Sequence, residues 1–289
     1  MTQQIPVAPE AAIGELAEGG TREVVPDLAY KRLAIVNAAF WGQPGQPGWV
    51  LVDTGLPGMA GAVRRAAQER FAGHPPAAIL LTHGHFDHVG ALVTLAREWQ
   101  VPVYAHPLEH PYLNGQASYP SPDPWVGGGL MALISPVFPR GPVDVGSALR
   151  ALPEDGSIPP MPGWRWLHTP GHAPGHVSLW READRLLLAG DAVITTAQEA
   201  AYGAATQEPE LHGPPMYYTP DWQAARDSAR RLAALEPEYL VTGHGRALEG
   251  AEMRGALHRL AEEFDSVAVP QQGRYVQQPA RAEDGSAYR

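Results

Sequence analysis

The sequence contains no cysteine among its 289 residues, which excludes disulfide bonds and thiolate metal ligands. Any metal site must therefore be built from nitrogen and oxygen donors. Basic residues are also scarce, with 21 Lys and Arg against 31 Asp and Glu and a net charge of -10. Because a nucleic acid needs a basic surface, this balance predicts a small-molecule substrate and no nucleic-acid partner.

Long apolar runs are missing as well. No stretch of the chain approaches the roughly 18 apolar residues that a membrane span needs. The first residues also lack the basic start and the apolar region of a signal peptide. We therefore expect a cytoplasmic protein that does not contact membranes. The sequence leaves the oligomeric state open and is compatible with a homodimer.

Glycine and proline are plentiful, at 31 and 30 residues, and imply many turns and loops. We predict an N-terminal arm over residues 1–22, one domain over 23–268, and a loose C-terminal tail over 269–289. Two irregular inserts, at about 106–162 and 195–220, are expected to shape a binding surface.

Apolar runs and helical patterns alternate through the domain, which predicts a layered α/β fold. The predicted strands cover residues 33–36, 49–52, 78–82, 101–105, 164–167, 176–180, 185–188 and 239–241. The predicted helices cover residues 58–72, 89–99, 221–235 and 250–264. Both halves of this order contain two strands, a helix and a further strand, which suggests an internal duplication.

The segment after the strand predicted at 78–82 is rich in metal-ligand side chains. It reads His83-Gly84-His85-Phe86-Asp87-His88 and places three imidazoles and a carboxylate within six positions. Imidazole and carboxylate suit zinc, iron and related ions, and a turn at the end of a rigid strand can direct them to one point. This density predicts a metal site.

Three further polar residues also follow an apolar run and stand beside glycine, and they are His172, Asp191 and His244. Together with the His-rich turn they supply five His and two Asp, more ligands than one four- or five-coordinate ion can use. Two ions that share a bridging carboxylate can use all of them. The sequence therefore predicts two divalent ions per chain, with zinc as the first choice and iron, manganese or cobalt as alternatives.

At these positions the chain closely resembles the metallo-β-lactamase-fold hydrolase superfamily, including its glyoxalase II-like thioesterases and quorum-quenching lactonases. The superfamily pattern is His-x-His-x-Asp-His followed far downstream by His, Asp and His, and all seven positions are matched. Over residues 24–264 the resemblance implies a four-layer αββα sandwich. Two mixed β-sheets would be flanked by helices, with the metal site at one edge of the sheets.

The resemblance also implies a role for each ligand. Carried over by position, the first metal is held by His83, His85 and His172, the second by Asp87, His88 and His244, and Asp191 bridges the two. Asp53, in the turn Asp53-Thr54-Gly55, matches an early aspartate of the superfamily. That residue would orient the His-rich turn without binding metal.

Two such ions lower the pKa of a bridging water and give a hydroxide that attacks a small carbonyl substrate. We therefore expect hydrolysis of an ester, lactone or thioester. Asp87 is the expected catalytic residue, because its carboxylate can orient the nucleophile and carry a proton to the leaving group.

The position three residues after the bridging aspartate departs from the superfamily's lactonases. Many of them carry a tyrosine there, whereas this chain has Ile194. The tyrosines of the second insert that could contact the substrate instead are Tyr202, Tyr217 and Tyr218. The aromatic stretch 214–222 is either a lid over the metals or a packed connection.

Three other functions stay open. A mononuclear iron dioxygenase of the persulfide-oxidising kind uses the same fold and three of the ligands, His83, His172 and Asp191. Two-metal sites also suit phosphodiesterases, and the fold can persist as a catalytically silent metal-binding module. His176 is expected to pack in the core or to form a hydrogen bond behind the ligands, and not to bind metal. His106, His110 and His212 are expected to lie at the surface or to touch the substrate.

Overall fold

The computed structural model describes residues 5–16, 20–198 and 208–289. Its strands are β1 Ile5–Pro6, β2 Glu15–Leu16, β3 Arg22–Val25, β4 Leu28–Leu33, β5 Val36–Trp41, β6 Val50–Val52, β7 Ala78–Leu80, β8 Val103–Ala105, β9 Leu149–Ala151, β10 Trp164–His168, β11 Val177–Arg181, β12 Leu186–Gly190, β13 Glu210–Leu211, β14 Tyr239–Thr242 and β15 Leu248–Glu249. Its α-helices are α1 Ala60–Arg70, α2 Phe86–Val89, α3 Leu92–Trp99, α4 His110–Leu113, α5 Leu130–Ile134, α6 Trp222–Ala233, α7 Gly250–Glu262, α8 Phe264–Val267 and α9 Arg274–Gln277. Among these helices, none has both the length and the apolar character needed to cross a bilayer.

Two mixed sheets contain most of the strands. The first has the order β2-β3-β4-β5-β6-β7-β8-β9, in which neighbours are antiparallel as far as β6 and parallel from β6 to β9. The second has the order β10-β11-β12-β14-β15, in which β12 and β14 are parallel and the other neighbours antiparallel. The short strands β1 and β13 pair separately.

Buried side chains fill three separate spaces between four layers. Val52 of the first sheet packs with Leu188 of the second in the space between the sheets. Leu92 and Leu95 recur at helical spacing on α3 and join α1 in covering the outer face of the first sheet. Leu257 of α7 packs with α6 against the second sheet. This helix, sheet, sheet, helix order confirms the αββα sandwich.

One predicted strand falls on a turn. Residues 33–36 form the tight connection between β4 and β5, and Ala34 has a φ of 62°. Leu33 and Val36 are both buried and pair with each other across the hairpin. The apolar run therefore marks the adjoining ends of two strands, and the prediction of one strand there is wrong.

Both ends of the chain pack against the domain where they are described. Ile5 is buried at the start, in β1 beside the second insert. At the other end, the Tyr112 hydroxyl donates to the Ala287 carbonyl over 2.6 Å, and the Tyr288 hydroxyl donates to the Leu108 carbonyl over 3.1 Å. The prediction of a loose tail is wrong because these side chains complete a cluster with the first insert. The domain limits at 22 and 268 stay predictions.

Candidate metal centre

Four turns at one edge of the sandwich carry the predicted ligands. The His-rich turn follows β7, and the other three ligands follow β10, β12 and β14. Each sheet contains a parallel pair here, β6 with β7 and β12 with β14, so their carboxyl ends lie side by side. All seven side chains are buried, and they are His83, His85, Asp87, His88, His172, Asp191 and His244.

The ligand atoms form three overlapping groups, within each of which the atoms lie no more than 4.8 Å apart. The groups are His83, His85 and His172; His83, His88 and Asp191; and Asp87, His88 and His244. The first and third groups contain the two trios predicted for the two ions. The Asp191 carboxylate lies between these trios, because Oδ2 is 3.4 Å from His172 Nε2 and 3.0 Å from His244 Nε2.

Several buried atoms of the centre make no hydrogen bond within the described residues, and they are His83 Nε2, His88 Nε2 and Asp191 Oδ1. The last two face each other at 3.5 Å. His85 Nδ1 and His172 Nε2 face each other at 2.8 Å. Buried polar atoms without partners are costly, and imidazole nitrogen with carboxylate oxygen is a donor set for zinc and related ions. The residues fit divalent metals.

Other ring nitrogens are held by acceptors of the surrounding protein. His88 Nδ1 lies 2.8 Å from Asp53 Oδ2, and His244 Nδ1 lies 2.7 Å from the Ile35 carbonyl oxygen. Because a carboxylate and a carbonyl only accept, both Nδ1 atoms donate. In the neutral form of each ring this places the lone pair on Nε2, which points to the centre.

Asp53 fastens the His-rich turn to the end of β6. Its Oδ1 accepts from the Thr82 backbone N–H over 2.9 Å, and its Oδ2 accepts from the Thr82 hydroxyl over 2.7 Å and from His88. The φ of Asp53 is 60°, a left-handed conformation that aspartate tolerates better than most residues. Asp53 belongs to none of the three ligand groups, and its contacts position His88.

The imidazoles of the first trio are kept neutral. Burial lowers the pKa of His85 to about 3, and the neighbouring His88 acts in the same direction. Burial also holds the pKa of His83 and of His172 well below the usual value. Unprotonated nitrogens are the form that binds a metal.

The second trio has the opposite electrostatics. Burial acts to lower the pKa of His88 and His244, but the carboxylates around them together raise each pKa. Asp191 and Asp87 act on both rings, and Asp53 also acts on His88. Burial acts in turn to raise the pKa of Asp191, but His244 and His88 hold it well below its usual range. Burial raises the pKa of Asp87. Negative charge is therefore concentrated on Asp191, between the trios.

His176 supports the centre from behind. Its Nε2 accepts from the backbone N–H of Asp191 over 2.9 Å, and its Nδ1 lies 2.9 Å from Thr169 Oγ1. A Cβ at Gly190 would come within 2.5 Å of that Nε2, so glycine is required for the approach. His176 thus fixes the backbone of Asp191. The other three histidines of uncertain role lie outside the ligand groups, and they are His106, His110 and His212.

Tyr217 and Tyr218 line a narrow cavity beside the centre, together with His85, Tyr119 and Tyr275. The Tyr218 ring centroid is 4.8 Å from that of His85. The Tyr218 hydroxyl is buried without a hydrogen-bond partner in the described part of the chain, and burial raises its pKa. The stretch 214–222 is buried and forms a packed wall of the site. Tyr202 lies outside the described residues.

Two buried residues of the first insert contact the centre and were missed by sequence reasoning. The Tyr119 ring centroid lies 4.2 Å from that of His85, and Glu109 accepts a hydrogen bond from the Gly84 backbone. Neither belongs to a motif. The only available signal was a glutamate and aromatic residues in an otherwise proline-rich insert.

An αββα sandwich with imidazoles and carboxylates clustered where strands of both sheets end defines a class of metal-dependent proteins. A model of the metallo-beta-lactamase superfamily matches residues 38–244. The chain belongs to this superfamily.

Named relatives agree with this assignment. The probable metallo-hydrolase YflN of Bacillus subtilis (strain 168) is 48% identical over 235 residues, covering 81% of this chain and 89% of YflN. The probable metallo-hydrolase YybB of the same strain is 31% identical over 195 residues, covering 68% of this chain and 74% of YybB. The crystal structure of TTHA1623 in a di-iron-bound form aligns with a TM-score of 0.53 at 27% identity, covering 82% of this chain and 98% of that one.

Proposed function

We propose that the protein is a dinuclear metal-dependent hydrolase that cleaves a small ester, lactone or thioester. The observation that carries this proposal is the pair of buried trios with the Asp191 carboxylate between them. One ion cannot use seven ligands, whereas two ions with a shared carboxylate can. The proposed ligands are His83, His85 and His172 for one ion, Asp87, His88 and His244 for the other, and Asp191 for both.

Zinc is the proposed metal, and the di-iron form of TTHA1623 supports a pair of ions while keeping iron as the alternative. When bound, two divalent ions polarise a substrate carbonyl and supply a nucleophile from water at neutral pH. Asp87 is proposed to orient that nucleophile and to carry its proton. Its Oδ2 is 3.4 Å from His244 Nε2, and its raised pKa brings the carboxyl closer to the range of a useful proton carrier.

Tyr218 is proposed to contact the substrate. Ile194 is fully buried and carries no polar group, so it cannot assist a carbonyl. The unpartnered Tyr218 hydroxyl lies in the wall of the cavity beside the centre, where it can donate to a carbonyl oxygen. Tyr217 is proposed to form the apolar side of the same cavity.

Metal analysis combined with a chromogenic panel of esters, lactones and thioesters tests the proposal. We expect about two ions per chain and hydrolysis of at least one substrate class. His85→Ala should abolish that hydrolysis, whereas His74→Ala, at an exposed histidine, should leave it unchanged.

Other results would point elsewhere. One iron per chain with oxygen consumption on a persulfide would replace the hydrolase with the dioxygenase. If the protein binds its full complement of metal but hydrolyses neither the panel nor phosphodiesters, the result would support a catalytically silent metal-binding module. The small-molecule substrate, the cytoplasmic location and the homodimer stay predictions from the sequence.

A further inference from the structure

Glu109 is a fully buried carboxyl group at the end of the 3₁₀ helix Pro107–Glu109. Its Oε1 accepts from the Gly175 backbone N–H over 2.7 Å. Its Oε2 accepts from the Gly84 backbone N–H over 3.0 Å and from the Tyr119 hydroxyl. Burying a carboxyl group costs free energy unless such hydrogen bonds compensate for the loss of water. The role of Glu109 is therefore to be found in the residues that it connects.

The two backbone donors belong to the two turns that carry the first trio. Gly84 stands between His83 and His85, and Gly175 stands three residues after His172. These turns follow strands of different sheets, β7 and β10. The carboxyl group of Glu109 therefore forms hydrogen bonds with two turns that are far apart in the sequence.

Both turns have glycine where the carboxyl group approaches. A Cβ at Gly175 would lie 2.8 Å from Glu109 Cγ, and a Cβ at Gly84 would lie 2.9 Å from the Tyr119 hydroxyl oxygen. Any other residue would push the insert away from the turns. The sequence of both turns is thus fitted to the buried group.

Tyr119 extends the connection to a ligand ring. Its hydroxyl also accepts from the Gly84 N–H over 2.8 Å. Its ring stacks on Tyr112 with centroids 3.7 Å apart and packs beside His85 with centroids 4.2 Å apart. The insert therefore supports both the backbone and the side chain of the His-rich turn.

We infer that Glu109 is a positioning residue for the first trio. Its hydrogen bonds set the separation of the two turns and so hold His85 Nδ1 and His172 Nε2 at 2.8 Å. The inference rests on the proposed function, because the positioned atoms are the proposed ligands. Groups that orient metal ligands typically contribute about 10- to 100-fold in metal affinity.

Stepwise metal titration against a chromophoric chelator measures this contribution. In Glu109→Ala we expect one of the two affinities to fall by about 10- to 100-fold while the other changes little. In Glu109→Gln the same affinity should fall by a smaller factor, because the amide oxygen still accepts from Gly175 whereas the amide nitrogen cannot accept from Gly84. Glu98→Gln is the matched control, since Glu98 forms an exposed ion pair with Arg64, and should bind both ions as the wild type does.

Cobalt spectra of the same variants give a second readout. The ligand-field bands of one site should shift in Glu109→Ala and Glu109→Gln and stay fixed in Glu98→Gln. If folded Glu109→Gln has the metal affinities and cobalt bands of the wild type, the inference is overturned and the proposed function stays intact. Glu109→Gln also provides the test if Glu109→Ala does not fold. Wild-type protein that binds no metal would overturn the proposed function and the inference with it.

Discussion

At the scale of single residues, the centre is governed by which ring nitrogen carries the proton. His88 and His244 donate from Nδ1 to fixed acceptors, so that in the neutral ring the lone pair is on Nε2 and points to the centre. The candidate ligand positions were predictable because four of them stand within six positions and the other three each follow an apolar run and adjoin a glycine. Glu109 was not, since its contacts with Gly84 and Gly175 span 25 and 66 positions and follow from the path of the insert.

Asp53→Asn should weaken the binding of one ion by about 10- to 100-fold. An amide nitrogen facing His88 Nδ1 would favour the tautomer with its proton on Nε2, the atom that points into the centre. Chelator competition measures the affinity, and the pH dependence of binding should shift with the tautomer. Asp227→Asn, at an exposed carboxylate, is the control. Unchanged affinity in Asp53→Asn would show that Asp53 supports only the turn.

His106 should make the protein less stable in acid. Its ring stacks on that of His168 with centroids 4.4 Å apart, and burial lowers its pKa from the usual 6.5 to about 4. Between these values the unfolded chain takes up a proton at this residue and the folded chain does not, so stability is lost as pH falls.

Urea unfolding at pH 7 and pH 5 checks this sign. The wild type should lose more unfolding free energy between the two pH values than His106→Gln does. His74→Gln, at an exposed position, should behave as the wild type. An equal loss in wild type and His106→Gln would contradict the prediction.

At the scale of elements, the candidate metal-binding side chains lie at the ends of strands. Among the described residues, the sequence predicted seven of the fifteen strands and the four longest helices, because those strands are continuous apolar runs and those helices carry an apolar stripe. It missed β3, β4 and β5 among others. It failed at 33–36, where two strand ends form one apolar run across a turn. It also could not predict the small strands β13 and β15, whose two residues each are set by tertiary pairing.

Gly243→Ala and Gly255→Ala compare the effect of an added Cβ in a crowded turn with its effect on an exposed helix face. A Cβ at Gly243 would lie 1.9 Å from Asp191 Oδ1, whereas a Cβ at Gly255 in α7 meets nothing within 4 Å. We expect Gly243→Ala to lose about 1–3 kcal/mol of unfolding free energy and to bind metal weakly. Gly255→Ala should gain up to about 1 kcal/mol from helix propensity.

Urea unfolding and metal content measured on both variants check this pair. Equal metal content and stability in the two variants would mean that the turn after β14 can move away from Asp191. The centre would then depend less on close backbone packing than the distances indicate.

At the scale of the whole molecule, the candidate centre joins the two halves of the sandwich. His83 and His85 follow a strand of the first sheet, and His172 follows a strand of the second. The apolar core between the sheets draws on both, so the halves are already packed together. Ions bound by both sets of turns would add a direct link at the edge, where buried imidazoles and carboxylates otherwise face one another.

Metal removal should therefore destabilise the entire domain. A ligand that binds only the folded state adds about 2.7 kcal/mol when its free concentration is a hundred times its Kd. Chelated protein should unfold at lower urea than protein with saturating Zn²⁺, in one transition because both sheets share the ligands. Mg²⁺ is the control and should restore little, since it prefers oxygen ligands in octahedral geometry and the first trio offers only imidazole. Equal unfolding with and without Zn²⁺ would mean that the seven side chains do not act as a metal site, because no ion can bind the folded state alone and leave its stability unchanged.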